Sequence, residues 1–160
     1  MSLSASKLAN EIVKLATDKQ YPKDSYEAGK RWAHAYALYA ADGRASGGIP
    51  PAPLTANEQV LAAALGSLWA TCRDMGTDAQ GMASALTIFW LSPPVVFGSG
   101  AVSAVAGTSA LQSALPGVWS SNQGGKQSAE VCARKLAAVI DTFTHTVTVT
   151  LPGPIVGPIS

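Results

Sequence analysis

From Ala79 to Gly125 the sequence carries no Asp, Glu, Lys or Arg. Nothing else in the chain constrains its fold as strongly. A protein surface in water normally intersperses charges of both signs. A neutral run of this length is expected to be covered, by the protein's own core, by other subunits or by lipid. The flanks differ. Residues 1–78 hold 8 basic and 8 acidic side chains, and after Lys135 only Asp141 is charged.

Composition narrows the classes further. Charged residues are 13% of the 160-residue chain, about half the usual ~25%, and the net charge is +1. So few, balanced cations do not make a nucleic-acid binder. A hydrophobic content of 48% is enough to build a core, which excludes disorder, and the length suits one domain. Lipid fails on continuity. A spanning helix needs about 20 apolar residues, and the run Ala83–Phe97 is cut by Pro93 and Pro94. The next, Ala101–Leu115, is broken by Ser103, Gly107, Thr108, Ser109, Gln112 and Ser113. Met1–Asp18 mixes charge with apolar residues and lacks the apolar stretch of a signal peptide. No membrane and no nucleic acid are expected as partners.

Helical periodicity dominates the first half. Leu8, Ile12 and Leu15 share one face of a helix predicted over Ser4–Lys19. Asp24 and Glu27 form a capping pair for a second helix that carries Trp32, Tyr36 and Tyr39 among alanines and stops near Gly43. Ser46–Pro53 is a Gly/Pro connector. Thr55 and Glu58 match a capping box, with Leu54 stapling back. They open a third helix with the stripe Leu61, Leu65, Leu68 and Cys72, which Gly76 ends. Thr77 and Gln80 form a second box, for a helix through Met82, Leu86, Phe89 and Trp90 that Pro93 closes.

From Pro94 to Gly125 the periodicity fails, apart from a short helix over Ser109–Leu115. A last helix spans Ser128–Phe143. Then THTVTVTL, Thr144–Leu151, alternates Val147, Val149 and Leu151 with threonines, the pattern of a strand. One strand is not stable alone. It must pair with a weak internal segment such as Pro94–Phe97, or with another chain. PGPIVGPIS, Pro152–Ser160, has three prolines and two glycines and forms neither helix nor sheet interior.

The expected fold is mainly α, a bundle of four to five helices over 1–143 with an irregular apolar segment 94–125. A C-terminal strand and Pro/Gly-rich arm occupy 144–160.

No catalytic constellation emerges. His34 sits mid-helix between alanines and reads as a helix-surface or helix-contact group; His145, between threonines, reads as a strand-edge polar group. Two His and two Cys without close spacing make no zinc site. Cys72 and Cys132 read as free, buried thiols. GGKQS at Gly124–Ser128 fails as a phosphate loop: Ser120 stands where the first glycine belongs, and Gln127 follows Lys126. Gly98–Ser99–Gly100 is neither a dinucleotide fingerprint nor a nucleophile elbow, and no carboxylate pair in the second half supports glycosidase chemistry. No cofactor, metal or catalytic residue is expected.

SAEVCARKLAAVIDTFTHTVTVTLPGP, Ser128–Pro154, resembles minor virion proteins of the neck, tail or baseplate of tailed bacteriophages. The resemblance implies a fold built around helices, a place in a symmetric particle and no catalysis. The partners are then other subunits of the same assembly, including copies of the chain itself, and the location is the virion, or otherwise the cytoplasm. A strand that lacks a partner can add to a neighbour's sheet edge. Val147, Val149, Leu151, Ile155, Val156 and Ile159 are therefore the expected partner-binding residues. Two other readings remain open: an enzyme or small-molecule binder with a pocket between helices near Trp32 and Trp69, and a membrane-active hairpin over Thr77–Leu115.

Overall fold

The computed structural model describes residues 3–71, 74–122, 125, 127–153 and 155–160. Cys72, Gly124, Lys126 and Pro154 lie outside them. The described chain is mainly helical, with helices α1 (Ala5–Thr17), α2 (Ser25–Ala40), α3 (Thr55–Thr71), α4 (Met75–Leu91), α5 (Thr108–Asn122) and α6 (Ala129–Thr144). Strands β1 (Val96–Phe97), β2 (Gly100–Val105), β3 (Val147–Leu151) and β4 (Ile155–Pro158) form one antiparallel sheet in the order β1-β2-β3-β4.

Local chemistry explains most helix boundaries. The Asp24 side chain accepts from the Glu27 N–H at 2.7 Å, as the spacing predicts. The Glu27 carboxylate turns back to the Lys23 N–H at 2.9 Å and meets Arg31 at 2.6 Å. Those two partners, the Lys23 N–H first, hold its carboxyl below its ordinary value. Ser128 caps α6 through the Val131 N–H.

Two expected starts are shifted. At α3 the Leu54 carbonyl already accepts from the Glu58 N–H at 2.8 Å. Leu54 therefore takes the capping position, and the Glu58 carboxylate faces His34 instead. The fourth helix begins at Met75, ahead of the Thr77–Gln80 box, because Asp74 caps it by accepting from both the N–H and the hydroxyl of Thr77, at 2.8 and 2.7 Å. Gly76 thus lies in the first turn of α4 and does not terminate α3.

Each helix packs on the next, and α6 returns onto α1, so the six close a ring. The α2–α3 contact is the tightest kind. A Cβ on Gly29 would lie 2.7 Å from both the Ala62 carbonyl oxygen and the Gly66 nitrogen. Small residues here let two backbones touch. Within the ring Tyr36, Tyr39, Phe89 and Trp90 are fully buried. Tyr36 meets Phe89 edge-on at 5.0 Å, and Phe89 meets Trp90 at 5.2 Å.

The described residues of 94–125 are mostly regular, contrary to the expectation. They form β1, β2 and the whole of α5, which runs through Pro116. The expected short helix is its first half. The strand over 147–151 also finds its partners inside the chain: β2, which no periodicity singles out, and β4. The physical reason is register. GAVSAV and VTVTL put Val102 opposite Val149 and Val105 opposite Val147, so one apolar face of each strand closes over the helices.

Candidate interaction surface

Between the helices lies a buried polar cluster that joins three of them. The Trp90 indole N–H donates to the Tyr36 hydroxyl at 2.8 Å, and that hydroxyl meets Thr144 Oγ1 at 2.9 Å. Thr144 in turn donates to the Ile140 carbonyl at 2.9 Å. Beside it, Tyr39 donates to Asp141 Oδ1 at 2.6 Å. Burial is the main cause that pushes both phenols well above the ordinary tyrosine range. Both side chains are closed off from solvent, so no substrate reaches them. The cluster orders α2, α4 and α6 against one another.

The two histidines lie at the surface. His34 Nδ1 is 3.0 Å from Glu58 Oε1. His145 occupies the C-cap of α6, with Nδ1 2.8 Å from the Asp141 carbonyl, and is not at a strand edge. Cys132 is a free, half-buried thiol. Among the described residues no group of three or more His, Cys, Asp or Glu could hold a metal ion. Among them, too, no helix is long and apolar enough to cross a membrane.

The expected partner-binding residues separate into two sets. Val147, Val149, Leu151 and Ile159 are buried in the chain's own core. Ile155 and Val156 are 49% and 60% exposed. The first four are committed inside this chain and present no side chain to a neighbour. The strand 147–151 lies in the middle of the sheet and has no free edge.

Neither outer edge of the sheet invites another strand. At β1 the Ala52 N–H donates to the Val96 carbonyl at 2.8 Å, and Pro51 bridges Phe97. At β4, the Ile159 N–H reaches the Val147 carbonyl at 3.0 Å. Alternation along an antiparallel ladder then turns Ile155 and Gly157 towards β3, and Val156 and Pro158 outward. Pro158 has no N–H, a common device on edge strands, and Ser160 pairs with Arg44 through both its N–H and its carbonyl.

What remains open is the sheet's outer face. Cross-strand partners share a face, and the register sets Val96, Ala101, Thr150 and Val156 in one row across all four strands. A second row is Ala104, Thr148 and Pro158. At the irregularity between them, Ser103 Oγ accepts from Thr150 at 2.8 Å. No member of these rows ionises. The exposed positions of α4 after Asp78 and of α5 continue the pattern with Gln80, Ser84, Ile88, Ser109, Gln112, Ser113 and Ser120. Sequence reasoning located the neutral stretch but not these rows, because no local pattern encodes which strand lies beside which.

Compared with protein-family models, with curated proteins and with solved structures, the chain has no significant match.

Proposed function

We propose that the chain is a non-catalytic structural subunit of a multi-protein assembly, of the neck, tail or baseplate type that its C-terminal third resembles, and that it docks neighbours through its neutral surface. One observation carries this reading. The side chains that 79–125 and the outer sheet face present to water contain no ionisable group, where an isolated soluble protein intersperses charge. A surface without charges can be covered with little desolvation cost, since only hydroxyls, amides and small apolar groups lose water. The docking element is then the outer face and not a donated β3.

Light scattering in detergent-free buffer tests it. The expected mass is a multiple of the 16.3 kDa chain. Lys at both Ala104 and Thr150, in neighbouring rows of the outer face, should lower the mass while circular dichroism stays unchanged. A single-chain mass for the unaltered protein at every concentration would sink the proposal.

One observation favours a second reading, a small-molecule binder. A groove of about 440 Å³ lies between α2 and α3, lined by Tyr26, Lys30, Glu58, Gln59, Ala62 and Ala63. That reading calls for a single-chain mass and a ligand-dependent rise in melting temperature.

A further inference from the structure

We propose that two copies of this chain exchange residues 152–160, each filling with its own β4 the slot that the other's β4 vacates. The inference rests on the assembly reading above and adds to it a second contact between copies, distinct from the outer face.

The slot is two-sided. On one side β3 pairs with β4 from Leu151↔Ile155 to Thr148↔Pro158, and the ladder continues through the Ile159 N–H to the Val147 carbonyl at 3.0 Å. On the other side the Arg44 N–H donates to the Ser160 carbonyl at 2.9 Å, and the Ser160 N–H donates to the Arg44 carbonyl at 3.0 Å. At its end Ile159 is 1% exposed, against Gly43 and near Leu3. An occupant must be extended, must offer backbone groups to both walls and must place an apolar side chain at the Ile159 position. A second copy supplies an identical segment. The hydrogen bonds and apolar packing that opening breaks form again in the exchanged pair, so only the hinge changes conformation.

The segment is held lightly. Of 155–160, only Ile159 is buried. Ile155 and Val156 are largely in water, and a side chain added at Gly157 would touch nothing. The hinge sequence is Leu151-Pro152-Gly153-Pro154. A residue before proline favours the extended region, yet the closed turn holds Gly153 at φ +91°, which residues other than glycine rarely adopt. One glycine therefore makes the closed form accessible.

Disulfide trapping decides it. Thr150 and Val156 are register partners on the outer face, a non-hydrogen-bonded pair with Cα atoms about 4.5 Å apart, within disulfide reach. The variant T150C/V156C, in a background with C72S and C132S, is concentrated and then oxidised. Exchange predicts covalently linked species of two or more chains on a non-reducing gel. Adding G153A should raise their share roughly tenfold relative to the uncrossed form, the penalty of a left-handed backbone. Wholly intrachain links, unmoved by G153A, would overturn the proposal. So would equal interchain linking by V156C alone, which reports face-to-face contact without exchange. A multi-chain mass with wholly intrachain links overturns exchange and leaves the assembly reading standing; a single-chain mass with such links removes both.

Discussion

The α1–α2 side of the ring and the α4–sheet–α5 side meet the same solvent by different means. The first is laced with ion pairs. Lys7 reaches Asp42 at 2.6 Å, Arg31 reaches Asp18 at 3.0 Å and Glu27 at 2.6 Å, and Lys14 reaches Glu11 at 2.6 Å. The second relies on hydroxyls turned back onto the chain. Thr87 meets Thr108 at 2.7 Å, Ser113 donates to the Ser109 carbonyl at 2.9 Å, and Ser120 donates to the Pro116 carbonyl at 2.7 Å. Exposed ion pairs add little stability, of order 0–1 kcal/mol each. Their larger effect is on contacts with neighbours, because a charged surface resists being covered and a neutral one does not. The two sides are thus distinguished less by how they hold the fold than by what they allow to approach.

The sharpest break in that comparison comes from placing one charge under the neutral side. Val149 is 2% exposed at the centre of the sheet, with β2 on one flank and β4 on the other. Val149→Lys leaves a buried ammonium without a partner and should cost about 3–5 kcal/mol, read as a lower urea midpoint. Lys at Thr150, the next residue but on the outer face, should change stability by less than about 0.5 kcal/mol. Equal effects at the two positions would mean that the inner and outer faces are wrongly assigned.

A smaller effect tests how the two sides are coupled. The Tyr36 hydroxyl on α2 accepts from Trp90 on α4, so it bridges them. Tyr36→Phe strands the buried indole N–H and should cost about 2 kcal/mol, measured by denaturant unfolding. The same burial sets a pH dependence. Tyr36 and Tyr39 have folded pKa values raised above the ordinary tyrosine value, about 10. Above that pH the unfolded chain releases phenolic protons that the folded chain keeps. Stability should therefore fall as pH rises through the alkaline range. Ultraviolet titration should find these two phenols ionising only together with unfolding. Smooth ionisation of all four tyrosines in the folded protein would contradict the cluster.

What the sequence made legible follows the same division. In the first half, local rules reach furthest: the Leu8–Ile12 stripe and the Asp24–Glu27 cap appear where their spacing places them. Thr77 misled because Asp74, three residues earlier, caps and starts the helix first, its carboxylate accepting from both the N–H and the hydroxyl of Thr77. Its carboxyl is held below the ordinary value by those bonds, the Thr77 N–H first. In the neutral half, Pro116 and the scattered serines hid α5, whose helical state rests on packing against α4 and α6. The outer rows could not be read at all. Val96, Ala101, Thr150 and Val156 are brought into line by the pairing of β2 with β3, which lie far apart in sequence. Asp141 offered the one hint, as the only charge after Lys135, and its partner Tyr39 is 102 positions away.

The least effect is expected at the border between the two sides. Asp78 is the last charge before the neutral stretch, and its Oδ1 accepts from the Trp69 indole N–H at 3.0 Å. Burial raises its carboxyl above the ordinary aspartate value, against the opposing effect of that hydrogen bond. A raised folded value means that the folded chain holds the proton more tightly than the unfolded one. Wild-type stability then falls as pH rises through the window between the two values, and the deficit persists above it. Asp78→Asn removes the buried charge and keeps an oxygen for Trp69. The variant should therefore be more stable than wild type at neutral pH, by less than about 1 kcal/mol because the group is only partly shielded. That advantage should vanish below about pH 3.9, the ordinary aspartate value. A variant less stable at neutral pH would show instead that the α4 N-terminus favours the carboxylate by more than burial opposes it, and that the charged side extends one residue further than its packing suggests.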